Sequence, residues 1–303
     1  TDWIDTIAGI KIARRVAMPD ESGERIYLLD SVPINHHYVR LELVGAIADA
    51  LLQQDDHRDR TGGGANEQPR QNDDARRARD ALRQGIRTVT IYRYARSRGI
   101  SPGAQPPADF ILQGEDGPST SIEFYNWQTL PGEVGPFFVD FLVGSTGPLS
   151  GTVPVLARPP STTMEIFRPR WYEDPALWRE DPVPGDFADD LIEIRPILTD
   201  VLGIGSLVPW LAKLYPFDVA KTLVGGWVGD RWALWQFPDG SSALLLEIRW
   251  QDEESALQFL EAAPIHPSQH LLPHETGSHR VRLLRSTSLS ALEQLTLTLS
   301  ANR

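Results

Sequence analysis

The chain has 303 residues, 41% hydrophobic and 23% charged, enough to bury a full core as one large domain or two modest ones. Its formal net charge of −12 argues against a nucleic-acid partner, because binding phosphate needs a cationic surface that displaces counterions. With no cysteine there is no disulfide, thiolate metal site or Cys nucleophile, and no apolar run reaches the ~20 residues that span a bilayer.

Residues 24–32 read as a short buried strand. From His37 to Gln54 the apolar residues Leu41, Val44, Ile47, Ala48, Leu51 and Leu52 recur at the spacing of an amphipathic helix. Residues 55–72 are polar, contain Gly62, Gly63 and Gly64, and lack apolar periodicity, so a mobile loop is expected there. A second helix is expected to start at Asp73 or Asp74, either of which can cap it. It runs through Ala78, Leu82, Ile86 and Val89 and stops at Gly99. Its arginines, between Arg76 and Arg98, are interleaved with acids and read as a solvated helix face.

Residues 100–136, rich in Pro and Gly, suit strands and loops, and 137–143 suit a helix. A short helix at Met164–Phe167 follows, capped by Ser161 or Thr162. Several short helices are expected between Pro196 and Val224. Arg231–Phe237 and Ser242–Trp250 are strands joined by Pro238-Asp239-Gly240, a hairpin signal. Residues 252–263 form a helix with an acidic first turn, 279–285 a strand, and 289–299 either one. The class is α+β: a helix-dominated domain over 1–190 and a C-terminal hairpin/helix subdomain over 191–303. Nine tryptophans imply large aromatic contacts, read here as core packing.

A zinc site without cysteine needs histidines. His274-Glu275-Thr276-Gly277-Ser278-His279 resembles H-E-x-x-H with one residue too many, which puts its histidines roughly 140° apart on a helix. His36 and His37 are separated from Asp55, Asp56 and His57 by a helix of about 25–30 Å. There is no phosphate-binding G-x-x-x-x-G-K loop and no G-x-S-x-G elbow. Gly203-Ile204-Gly205 follows no convincing strand, and no carboxylate pair stands out for glycoside hydrolysis. The chain begins at Thr1 with no signal peptide in view, which leaves room for a removed segment before it.

Four segments, taken in order, resemble a family of zincin-like (gluzincin-type) metallopeptidases. The helix from Arg40 to Gln54 is similar to the family's H-E-x-x-H helix. Ala50, Leu51 and Gln54 match its trailing A-L-x-x-Q, but Gly45 and Asp49 stand at the zinc-ligand positions and Ala46 at that of the catalytic glutamate. The helix from Ala78 to Thr88 is similar to A-L-x-E-G-x-A-T, with Gln84 where the family's third ligand, a glutamate, belongs. Pro159 to Tyr172 resembles a Pro–Ser–Thr…Ile…His–Pro…Tyr segment, with Arg168 in place of the His. Gly226 to Trp235 is close to G-W-x-G-D-R-Y-x-L-Y.

The resemblance implies a zincin-like fold without its chemistry. A catalytic zinc needs three protein ligands, an open position and a carboxylate base. Gly45 offers no ligand, Ala46 no base, Gln84 a weak neutral donor, and Asp49 alone makes no stable site. The implied protein is a soluble pseudopeptidase with no metal, no cofactor and no catalytic residue. Its role is binding or structural, toward a peptide or protein partner and not nucleic acid. Family members are often exported, which implies an extracytoplasmic location. On the same resemblance Ser161 and Thr162 cap a helix, Gly226 and Gly229 permit a tight turn, and Asp230 with Arg231 fixes it. Two alternatives stand beside this: a hydrolase with a relocated site, for instance at His274, Glu275 and His279, or a subunit that partners an intact metallopeptidase homologue.

Overall fold

A computed structural model describes residues 17–28, 35–62, 72–101, 122–144, 147–178, 180–183, 195–263, 269–271 and 279–301. It is α+β, and its contacts divide it into two compact units. The first holds residues 1–70 and 79–160, the second residues 71–78 and 161–303. The division thus falls after Pro160 rather than at the expected 190. Met164 is fully buried in the core of the second unit, so the chain after Ser161 belongs with the sheet that follows.

In the first unit, strands β1 (Ala17–Pro19) and β2 (Ile26–Leu28) pair antiparallel, Ala17 opposite Leu28. Of the buried strand expected over 24–32, Tyr27 and Leu28 are exposed, and residues 29–32 lie outside the described residues. Helix α1 (His37–Gly62) is longer than its apolar stripe, because no Gly or Pro interrupts residues 55–61. The loop expected over 55–72 therefore begins no earlier than residue 63, and residues 63–71 lie outside the described residues. The buried face of α1 is also displaced from the expected one. Leu41, Gly45, Ala46, Ala48 and Leu52 point inward, while Ile47 and Leu51 are exposed.

Helix α2 (Asp73–Ser97) ends before Gly99 as expected, and buries Leu82, Ile86 and Val89. Its cap is Asn72, whose Oδ1 accepts from Ala75 N at 2.7 Å, rather than Asp73 or Asp74. Helix α3 (Ile122–Val143) replaces the strands and loops expected up to 136, although Pro131 and Pro136 lie inside it. The reason is a backbone-to-backbone crossing with α2. A Cβ on Gly135 would run into the Ala81 carbonyl oxygen, and one on Gly85 into the Gly135 carbonyl. Residues that read as breakers are what let the two helices meet, with Phe138 and Val139 fully buried alongside. Helix α4 (Val153–Ala157) completes the described part of this unit.

The second unit is a five-stranded antiparallel sheet of order β3-β4-β5-β7-β6: β3 (Leu198–Asp200), β4 (Trp227–Gln236), β5 (Ser242–Trp250), β6 (Gln269–Leu271) and β7 (Arg280–Ser286). The expected hairpin is present, with Gln236 opposite Ser242 and Gly240 N donating to Phe237 O. Side chains on β5 alternate between two cores, as the period of a strand requires. Ile248 and Trp250 join Met164, Leu207, Trp227 and Phe259 on one face. Ala243 and Leu245 join Trp235, Leu284, Leu292 and Leu295 on the other.

The first core is covered by α5 (Thr163–Phe167), α7 (Ile204–Leu211), α8 (Phe217–Leu223) and α9 (Glu253–Ala262), and the second by α10 (Leu289–Ala301). Helix α6 (Pro169–Glu173) follows α5 directly. Thr162 caps α5, its hydroxyl accepting from Met164 N, and Asp252 caps α9, accepting from Ser255 N. Most of the chain's tryptophans belong to this unit, and Trp227, Trp235 and Trp250 are fully buried in it. Among the described residues no helix is long and apolar enough to cross a membrane.

Candidate functional site

In the first unit the face of α1 carrying Tyr38, Glu42, Gly45 and Asp49, spaced at i, i+4, i+7 and i+11, meets Arg87 of α2. Arg87 Nη2 lies 3.1 Å from Glu42 Oε2, and its Nε lies 3.2 Å from Asp49 Oδ2. All three side chains are largely buried. The guanidinium passes directly over Gly45, where a Cβ would stand 2.6 Å from Nη2. Burial pushes the Arg83 guanidinium pKa down, and the charge of Asp49 opposes that. Burial pushes the Tyr38 phenol up, reinforced by Glu42 and opposed by Arg87.

Gly45 and Asp49 thus share one spot, with Arg87 between them and the space a metal would need. Ala46 is a buried methyl in the core. Gln84 is half-buried next to the crossing glycine, Gly85, and forms no hydrogen bond with Gly45 or Asp49. Arg168 lies in the second unit, exposed at the end of α5, its guanidinium 4.8 Å over the Trp171 ring. The relocated-site candidates His274 and Glu275 fall outside the described residues, as do the side chains of Asp55, Asp56 and His57. Among the described residues no group of three His, Asp or Glu side chains could hold a metal ion.

Chemically the first-unit cluster is a fixed cation with two carboxylates. Arginine keeps its charge at any physiological pH, so it has no proton to exchange. The cluster can neutralise, orient and hold. No sequence motif singles out Arg87. The apolar stripe of α1 turns Glu42 and Asp49 away from the inward face, so the sequence carries no signal for their counter-charge either.

The second unit has a polar centre of its own. Asp230, 1% exposed, accepts from Leu202 N at 2.6 Å, Gly203 N at 2.8 Å and Trp227 Nε1 at 2.9 Å. Asp74, equally buried, accepts from Thr163 N and Thr163 Oγ1, and Thr163 Oγ1 accepts from Gly205 N at 2.8 Å. Gly203, at φ +68, passes so close to Asp74 that any Cβ would collide with the carboxylate. Burial pushes the Asp230 carboxyl up to about 7, and the neighbouring charge of Asp74 adds to this. The three N–H donors pull the other way. Desolvation likewise raises Asp74.

These two acids fasten the 201–205 segment and leave no open face for a substrate. Asp230 organises the 201–205 loop rather than the turn beside it. Gly226 does lie in a turn, closed by Trp227 N donating to Val224 O at 3.1 Å, whereas Gly229 lies within β4. A Cβ on Gly226 would collide with Ser255, and one on Gly229 with the Asp181 and Pro182 backbone. No protein-family model, no curated protein and no solved structure matches this chain.

Proposed function

We propose that the chain is a non-catalytic zincin-like protein, a pseudopeptidase whose role is binding or structural. The observation that carries this is the Arg87 guanidinium lying over Gly45 and paired with both Glu42 and Asp49. On the family resemblance, Gly45 and Asp49 hold two ligand positions and Ala46 that of the glutamate. Arg87 comes three residues after Gln84, where the motif A-L-x-E-G-x-A-T has alanine. One fixed positive charge supplies the two carboxylates with what a metal would have brought. It also repels an incoming divalent ion from the same place. Loss of the ligand set and gain of a tethered cation are separate changes, and both favour a retired site.

The test is elemental analysis of protein expressed with added zinc, together with melting curves with and without chelator. The expected outcome is far less than one zinc per chain and an unchanged melting temperature. A tightly held equivalent of zinc, or peptide cleavage that a chelator stops, would overturn the proposal.

A further inference from the structure

The second unit contains an open pocket of about 350 Å³, at the small end of the ~300–1,000 Å³ range of ligand sites. Phe167, half-buried, lines it over the buried Met164, Ile204 and Val224, and Arg168 and Lys221 stand on its wall. The two cations differ in their engagement. Lys221 Nζ is 2.8 Å from Asp218 Oδ1, which also lines the pocket, and lies 5.2 Å over the Phe217 ring. Arg168 has no carboxylate partner among the described residues.

Arg168 is nevertheless held in place. Its guanidinium lies over Trp171, which stacks on Trp178 at 5.5 Å, which in turn stacks on the buried Trp227 at 6.2 Å. On its other side is Gly225, whose would-be Cβ stands 2.6 Å from Nη2, so the guanidinium lies close against bare backbone there. A preset guanidinium with free donors matches a carboxylate in a two-bond fork. Arg168, Lys221 and Asp218 sum to one positive charge, which suits a monoanion. Phe167 beside the two cations offers an apolar contact for a compact hydrocarbon group attached to it.

We propose that this pocket binds an α-carboxylate carrying a small aliphatic side chain, either as an N-acylated amino acid or as the C-terminal residue of a peptide. The pocket lies within the second unit, so this stands or falls independently of the zinc-site reading.

Trp171 and Trp178 supply the readout, because a ligand on Arg168 changes the surroundings of their stack. The full chain is titrated with N-acetyl-leucine, N-acetyl-leucinamide, Ala-Ala-Leu and inorganic phosphate, following tryptophan emission and ligand NMR saturation transfer. Saturable binding of the two carboxylates is expected, with the amide and phosphate at least ~10-fold weaker, the size of one charge-assisted bond. Arg168→Gln removes that preference, with circular dichroism checking its fold, and Asp218→Asn strengthens carboxylate binding several-fold by removing the competing acid. Tighter binding of the tripeptide assigns a chain end, and equal binding assigns a free acylated amino acid. The proposal is overturned if no carboxylate saturates, if the amide or phosphate binds as well, or if folded Arg168→Gln binds like wild type.

Discussion

Asp230 is a carboxyl group whose surroundings oppose one another: three N–H donors stabilise its charge while full burial and Asp74 penalise it. Burial wins, and the group ionises at about 7 in the folded chain, against 3.8 ordinarily. The sign follows from proton counting. Between about pH 4 and pH 7 the folded state keeps a proton that the unfolded state has lost, so stability falls as pH rises. Above about pH 7 both states are ionised and the contribution is flat. An amide at this position does not titrate and carries no such slope. The stability of wild type minus that of Asp230→Asn should therefore decline between pH 4.5 and pH 7.5, by on the order of 2–4 kcal/mol. Urea unfolding at several pH values measures it, and parallel profiles would show that Asp230 stays charged throughout.

At the scale of elements, the crossing of α2 and α3 rests on two glycines. Gly135→Ala forces a methyl into the Ala81 carbonyl and should cost about 3 kcal/mol or more, since backbone cannot swing aside as a side chain can. Gly132 lies in the same helix, exposed, with nothing within 4 Å of its would-be Cβ. Gly132→Ala should instead stabilise by up to ~1 kcal/mol through helix propensity. Denaturant midpoints of the two variants give the comparison, and equal effects would mean that the helices do not meet where described.

The same pair of glycines marks what the sequence conceals. The β4–β5 hairpin and the Thr162 cap are legible because turn and cap chemistry act over a few adjacent residues. Residues 122–136 of helix α3 are illegible because Pro131, Gly132, Gly135 and Pro136 locally disfavour a helix that tertiary packing supports, whereas 137–143 reads as helix. The inward face of α1 is missed for a related reason. Hydrophobicity selects Ile47 and Leu51, whereas close packing selects Gly45 and Ala46. The role of Arg87 depends on a neighbour 45 residues away in the chain, Glu42, and no local pattern records that.

On the scale of the molecule, the second unit is assembled from two separated stretches, and the shorter one contributes more than its length suggests. Within residues 71–78, Asp73 N donates to Asp200 Oδ1 at 2.9 Å, Asp74 receives both bonds from Thr163, and Asp74, Arg77 and Ala78 are buried. A fragment of residues 161–303 keeps the sheet and both of its cores but loses the acceptor for Thr163. The 201–205 segment then keeps its Asp230, Asp200 and Thr163 bonds, but Thr163 itself is no longer held by Asp74. Leaving a buried donor pair unsatisfied costs about 3 kcal/mol, or roughly 10 °C in melting temperature for a unit of this size. The fragment should therefore show native strand content by circular dichroism and melt roughly 10 °C below a version in which residues 71–78 are joined through a short flexible linker. Asp74→Ala in the joined version should remove most of that gain, which assigns it to one carboxyl group rather than to added length. Equal melting of the two fragments would mean that residues 71–78 merely lie against a unit already complete without them.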